Sequence, residues 1–251
     1  MKIVIIGGTG LIGTRLGNIL TAAGHQVTAA SPSRGVNAVT GEGLDRALAG
    51  ADILVDVANS PSFEDAAVLA FFEASTRNLI AAATATGIRH YVALSVVGAD
   101  RLPDSGYMRA KRVQERLIEA AALPYTILRA TQFFEFMAAI AWTGGEGDEL
   151  RLASQMMQPI AATDVVTALA DVVIAPPANA TLEIAGAQTA PLAEFVGRWL
   201  EAQGDRRRVI ADPQATYFGA QLDERSLVPL GNARIMPTRF DAWLRVREPV
   251  Q

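Results

Sequence analysis

A short apolar run, residues 2–6, leads straight into Gly7-Gly8-Thr9-Gly10-Leu11-Ile12-Gly13, and this junction restricts the fold more than anything else in the chain. The run has the pattern of a parallel strand covered on both faces. After it, Leu11, Ile12, Leu16, Ile19 and Leu20 recur at helical spacing, and Gly24 offers the left-handed residue that closes a helix over 11–23. Read as Gly7-x-x-Gly10-x-x-Gly13 or as Gly8-x-Gly10-x-x-Gly13, the glycines permit a tight strand-to-helix turn, close approach of a ligand to backbone, and close packing of helix on sheet. Free N–H groups and the dipole at a helix start attract an anion without any basic side chain. Between a strand and a helix, this spacing predicts that Gly7, Thr9, Gly10, Leu11, Ile12 and Gly13 hold a dinucleotide pyrophosphate.

The pattern then repeats. Strands are expected at 26–30, weakly at 36–39, and at 53–57, 89–95 and 125–129, with helices over 44–49, 63–85 and 107–121. Such alternation specifies an α/β, Rossmann-type doubly wound parallel sheet with right-handed crossovers. Beyond about residue 130 the pattern loosens. Residues 144–148 mark a turn, Thr163 reads as the N-cap of a helix through 174, and Pro176-Pro177 ends it. Shorter elements are expected at 182–184, 192–203, 209–210 and 239–246. The expectation is a single NAD(P)-binding domain over 1–251, its core about 1–133 plus 159–175, with a small C-terminal substrate lobe from 134–158 and 176–251.

Half of the 251 residues are hydrophobic and 19% are charged, as in a packed globule. A net charge of -4 argues against a nucleic-acid surface, and the one dense basic run, Arg206-Arg207-Arg208, reads as a solvated edge. Having no cysteine excludes disulfides and thiolate chemistry, and a cytoplasmic setting is expected. A strand at the very start leaves no room for a cleaved leader, and no apolar stretch reaches the ~20 residues of a membrane span. His25 and His90 lie in separate units, so no metal is expected, and no G-x-S-x-G elbow occurs. Asp52 and Asp56 read as a turn and strand-edge pair.

Cofactor choice is read where the second strand ends. An acid there would bond the ribose diol of NAD; the chain instead has Ser31, Ser33 and Arg34, with Arg15 nearby, which suit a ribose phosphate. NADP is expected, with NAD as the alternative.

Tyr107 and Lys111 stand four apart, on one face of a helix. A neighbouring cation lowers a phenol from its ordinary pKa of ~10 toward working as a general acid or base. Ser95 ends the preceding strand, where its hydroxyl would polarise a substrate carbonyl. Tyr107, Lys111 and Ser95 are therefore the catalytic candidates, with Lys111 also holding the cofactor ribose and tuning Tyr107; a pocket wall is the other reading of Tyr107. Phe133, Phe134, Phe136, Met137 and Trp142 read either as core or as a pocket for a flat aromatic ligand.

Taken together these residues resemble the NmrA-like group of atypical short-chain dehydrogenase/reductases, which also contains type 2 quinone oxidoreductases. The likeness rests on residues 7–13, Leu94-Ser95-Val96-Val97-Gly98-Ala99-Asp100, Tyr107-Met108-Arg109-Ala110-Lys111 and Pro124-Tyr125-Thr126-Ile127-Leu128-Arg129-Ala130-Thr131-Gln132-Phe133. It implies that Val57, Ala58 and Asn59, after the fourth expected strand, line the cofactor riboses. It implies also that residues 130–133 face nicotinamide and substrate, which makes Gln132, Phe133 and Phe136 substrate candidates, and that Asp164 is a structural helix-start acid. The implied function is NADPH-dependent reduction of a quinone or small carbonyl by a monomer or homodimer, with no nucleic-acid or membrane partner. The alternatives are a non-catalytic cofactor-sensing regulator and, less favoured because the lobe is short, a nucleotide-sugar epimerase or dehydratase.

Overall fold

The structure is a computed structural model describing residues 1–246; the last five residues of the expected lobe lie outside the described residues. The chain runs β1 (Lys2–Ile6), α1 (Leu11–Ala22), β2 (Gln26–Ala30), α2 (Leu44–Leu48), β3 (Ile53–Asp56), α3 (Asp65–Thr86), β4 (His90–Val96), α4 (Gly106–Glu119) and β5 (Tyr125–Ala130). It continues through α5 (Met137–Trp142), β6 (Glu149–Ala153), β7 (Met156–Met157), α6 (Ala162–Ile174), β8 (Ala180–Ala185), β9 (Ala190–Pro191), α7 (Leu192–Ala202), β10 (Arg208–Asp212), β11 (Arg234–Ile235) and α8 (Phe240–Val246).

Seven strands make one sheet in the order β11-β8-β5-β4-β3-β1-β2. Within it β1 is parallel to both β2 and β3, β3 to β4, and β8 to β11. This is the doubly wound α/β architecture that the alternation predicts. From β1 the chain crosses to one side for β2 and then to the other for β3, so the strand order reverses at β1; ligands of such sheets bind at the carboxyl ends beside that reversal. Ile6 is in register with both Ala30 and Asp56, so the glycine turn, the residues after β2 and those after β3 emerge at one sheet edge.

The chain divides into two compact units, one of residues 1–95, 106–129 and 165–182, the other of 96–105, 130–164 and 183 onward. In the first, Val4, Ile6, Leu54, Tyr91 and Ile127 pack with Leu44, Leu48, Leu79, Ala83 and Ile118 in one buried cluster. The apolar strand runs supply one side of that cluster, and the three-to-four spacing of Val68, Phe72, Leu79 and Ala83 turns one face of α3 inward. In the second unit, Phe240 packs edge-on to Phe134 and Phe195, with ring centroids 5.0 and 5.2 Å apart, and stacks on Trp243. Asp164 there accepts from the Thr238 amide at 3.0 Å and its hydroxyl at 2.8 Å, tying the start of α6 to the segment before α8.

Two expectations are corrected. The strand at 36–39 is a loop: the Asn37 side chain accepts from the Val39 amide at 2.9 Å, and Gly35, Gly41 and Gly43 take left-handed conformations, so local hydrogen bonds replace a ladder. The strand at 53–56 is in consequence the third. Thr163 does not cap α6, which begins one residue earlier; the Glu135 carboxylate accepts from the Ala162 amide at 3.1 Å instead. Of the residues read either as core or as an aromatic pocket, Phe134 and Met137 are core, at 1% and 0% exposure.

Candidate active site

The glycine turn is built against the residues that follow β3. Gly7 has φ +77°, and its amide and that of Gly8 both donate to the Ala30 carbonyl at 3.1 Å. A Cβ on Gly7 would stand 2.9 Å from the backbone of Val57 and Ala58, and one on Gly13 would stand 2.3 Å from the Gly7 carbonyl oxygen. No side chain caps α1 at Gly10 and no acid lies in its first turn, so the opening N–H groups at Leu11, Ile12 and Gly13 have no side-chain acceptor. An uncapped 12-residue helix starting from a turn where a Cβ at Gly7, Gly8 or Gly13 would clash is the cradle a pyrophosphate requires, and these residues fit the group.

After β2, Ser31 and Ser33 share a hydrogen bond of 2.9 Å, and Arg34 is exposed on a single 3-10 turn that Gly35 closes at φ +72°. Arg46 of α2 reaches the same spot: its Nη2 would lie 3.7 Å from a Cβ on Gly35. Two guanidinium-bearing residues thus flank the end of β2, and no carboxylate stands at 31–35.

Beneath the sheet edge lies a buried polar network. Asp56, at 2% exposure, accepts from the Ala58 amide at 3.1 Å, the Gln114 amide at 2.9 Å and the Tyr91 hydroxyl at 3.3 Å. Burial raises the proton affinity of Asp56, while Lys111 pulls it back down. Lys111, at 3% exposure, donates to the Leu94 carbonyl at 2.8 Å and to the Gln114 side chain, with its ammonium 4.5 Å from the Phe72 ring centre. Burial brings its pKa down to about 8 against the opposing pull of Asp56 and Glu115.

Tyr107 packs its ring against Phe63 and Phe72, both at 6.0 Å. Burial pushes its hydroxyl up to about 12. The expectation of a phenol lowered by Lys111 is therefore corrected: the Lys111 ammonium is held by Leu94 and Gln114, and burial keeps the Tyr107 phenol neutral. The Ser95 hydroxyl donates to Glu115 at 2.7 Å. Glu115 also takes both arms of Arg129 at 2.7 Å and Arg112 at 3.1 Å. Burial alone would raise the Glu115 pKa, but the facing Arg129, with Ser95 and Arg112, holds it below the ordinary carboxylate value.

A family described as NAD(P)H-binding matches residues 7–172. The chain belongs to that NAD(P)H-binding family. This agrees with the resemblance to atypical short-chain dehydrogenase/reductases, and the matched span holds the glycine turn, Tyr107, Lys111 and the residues after β5. Among curated relatives, (4-alkanoyl-5-oxo-2,5-dihydrofuran-3-yl)methyl phosphate reductase of Streptomyces griseus subsp. griseus is 29% identical over 156 residues, 57% of this chain and 51% of that protein. Photosystem II assembly factor Ycf39 of Cyanophora paradoxa is 28% identical over 149 residues, 54% of this chain and 46% of that protein. The chain spans about half the length of the curated relatives it matches. A solved short-chain dehydrogenase/reductase superfamily protein from Agrobacterium tumefaciens, with bound NAD, superposes with a TM-score of 0.74 at 17% identity, covering 98% of this chain and 95% of that one. For dTDP-4-dehydrorhamnose reductase from Bacillus anthracis, in complex with NADP, the TM-score is 0.71 at 14% identity, with 97% and 96% covered. These likenesses are of fold.

Members of the site that the sequence did not single out are Arg46, Gln114, Glu115 and the Phe63–Phe72 wall. Glu115, four residues beyond Lys111 on one face of α4, had a periodic signal; Arg46, eleven residues from Gly35, had none. Among the described residues no three His, Cys, Asp or Glu are grouped to hold a metal, and no helix is long and apolar enough to cross a membrane. His90 bonds Thr126 at 2.9 Å, and burial lowers its pKa to about 4.

Proposed function

We propose that this protein is an NADPH-dependent oxidoreductase that reduces a quinone or small carbonyl compound, with Tyr107 as the proton donor. The cofactor, when bound, supplies hydride. The product oxygen then needs a proton, and Tyr107, whose phenol stays protonated up to about pH 12, would be its source, as a weaker acid than an ordinary phenol. The observation that carries the reading is the uncapped start of α1 against Val57 and Ala58, in the same unit as Tyr107. The reductase from Streptomyces griseus supports the reaction class. Ser31, Ser33 and Arg34, joined by Arg46, support NADP over NAD, since two guanidinium groups near the end of β2 would suit a ribose phosphate. Lys111 and Asn59 would complete the cofactor pocket, Lys111 by fixing the Leu94 and Gln114 floor rather than by tuning Tyr107. Phe133 and Phe136 would bear a flat substrate. We propose further that the chain works as one cofactor-binding body with a substrate lobe, in the cytoplasm, as a monomer or homodimer.

One observation favours a second reading. Ser95 and Lys111 are both engaged by protein groups, as in a cofactor sensor that needs no catalytic set. Stopped-flow NADPH oxidation over a panel of quinones and aldehydes separates the two. Acceptor-dependent oxidation that Tyr107→Phe abolishes supports the enzyme; tight binding of NADP+ and NADPH with no turnover supports the sensor.

A further inference from the structure

We infer that Gln132 is a specificity-determining residue whose buried side-chain amide pairs with a substrate carbonyl that carries an adjoining N–H or O–H. The inference deepens the reductase reading as to substrate class, while the binding it asserts stands apart from turnover.

Gln132 follows β5 by two residues, at the carboxyl edge of the sheet, where ligands of doubly wound folds bind. Its backbone is held from both sides. Thr131 donates to the Ile184 carbonyl at 3.1 Å, the Gln132 carbonyl accepts from Ile160 at 2.9 Å, and Phe134 donates to the Ile160 carbonyl at 2.8 Å. Thr131 and Gln132 are 1% and 6% exposed. Yet among the described residues neither Oε1 nor Nε2 of Gln132 has a hydrogen-bond partner, and neither has Thr131 Oγ1.

Buried polar groups are almost always bonded, and an orphaned one is costly. Among the described residues, the other side chains with several polar atoms and an orphaned one keep another engaged: His90 bonds Thr126 through Nε2, Arg101 donates to the Val228 carbonyl through Nη2, and Gln155 donates to the Pro213 carbonyl through Nε2. Gln132 has both ends free, so exchanging its oxygen and nitrogen finds no partner either. Because the backbone on either side is already bonded, a local shift does not relieve it. Partners would come from a bound molecule, water in the empty site or a ligand that displaces it, and the amide sets the chemistry of that ligand.

A carboxamide offers one acceptor and two N–H donors. An unsubstituted quinone has acceptors only, and would satisfy Nε2 while leaving Oε1 orphaned. A carboxylate does the same. A lactam, or a carbonyl beside an N–H or hydroxyl, meets both ends in a cyclic pair. Close in sequence, the Phe133 and Phe136 rings lie 5.7 Å apart, and Phe136 is 44% exposed, a surface for a flat ring. The substrate class narrows to planar carbonyl compounds with an adjoining donor.

Isatin and N-methylisatin are the probes: both carry the same reducible ketone and lactam carbonyl, and only isatin has the lactam N–H. Calorimetric titration, with and without NADP+, is expected to show isatin binding about tenfold tighter or more to the wild type, since sites built around a hydrogen bond reject analogues that lack it. Gln132→Leu should erase the difference and leave NADP+ affinity unchanged; Gln132→Met serves if the leucine variant does not fold, and the wild-type comparison stands without either. Equal binding of the two compounds, a preference that survives in both variants, or no saturable isatin binding overturns the inference. Preference without NADPH oxidation would sink the reductase reading alone, and oxidation without preference would sink the inference alone.

Discussion

Tyr107 packs edge-on against Phe72, ring centroids 6.0 Å apart at 79°, and the same ring lies 4.5 Å beneath the Lys111 ammonium. One aromatic side chain therefore stands against both members of the Tyr–Lys pair, while the ammonium is bonded to Leu94 and Gln114. Tyr107→Phe keeps the ring packing and removes only the proton. It should lower kcat by about a hundredfold or more and leave the NADPH dissociation constant within twofold. With the hydroxyl at about 12, no activity-linked ionisation of this group should appear between pH 6 and 10 in a kcat profile. A Tyr107→Phe enzyme at full turnover would remove Tyr107 from the chemistry.

Lys111 bears on stability in the alkaline range. Its pKa falls from 10.5 to about 8 on folding, so between those values the unfolded chain binds more protons than the folded one. Stability from this group therefore rises as pH climbs from about 8 to 10.5, on the order of 3 kcal/mol, and the charged form is penalised below that window. Urea denaturation of wild type and Lys111→Met at pH 7, 8, 9 and 10 checks it: the wild type should gain on the variant with each step. A constant difference would mean that Lys111 keeps its ordinary proton affinity in the fold.

Glu115 behaves oppositely. Its folded pKa is held below 4.5, so its contribution is present above that value and is lost as pH falls through the folded one. Breaking the pair with Arg129→Met would leave a carboxylate of 1% side-chain exposure without its bidentate partner, at a cost of about 3–5 kcal/mol in denaturant unfolding at pH 7. Ser95→Ala removes one bond of several and should cost about 1 kcal/mol or less. A Ser95→Ala enzyme that loses turnover a hundredfold without losing stability would restore Ser95 as a substrate ligand.

Two glycines of the same helix give a matched contrast. A Cβ at Gly13 would stand 2.3 Å from the Gly7 carbonyl, whereas one at Gly17 meets nothing nearer than 3.7 Å. Gly17→Ala should stabilise the protein by up to about 1 kcal/mol and bind dinucleotide normally. Gly13→Ala should raise the NADPH dissociation constant at least tenfold. Thermal melts with and without NADPH report both.

What the sequence made legible was local. The apolar residues of β1, the glycine spacing and the periodicity of α1 and α3 each lie within a few residues of one another, and the sheet follows from their alternation. The 36–39 segment misled because Val36 and Ala38 are buried in a loop as they would be in a strand, while Asn37 and three left-handed glycines decide the backbone. The strands β7, β9 and β11 are two residues each, too short for any period, and only the alternation in β6 carried a signal that was passed over. The partners of Ser95 and Lys111 were not legible for another reason. Their partners, Glu115 for one and Leu94 and Gln114 for the other, are set by how α4 lies on the sheet, which spacing along the chain does not encode.

Fluorescence titration of the wild type, Arg34→Ala and Arg34→Ala/Arg46→Ala with NADPH and with NADH reaches the central claim most directly. Saturable binding of NADPH by the wild type is expected, weakened about tenfold or more in the double variant, with NADH affinity unmoved by either change. Failure of the wild type to form a saturable complex with either dinucleotide would contradict it.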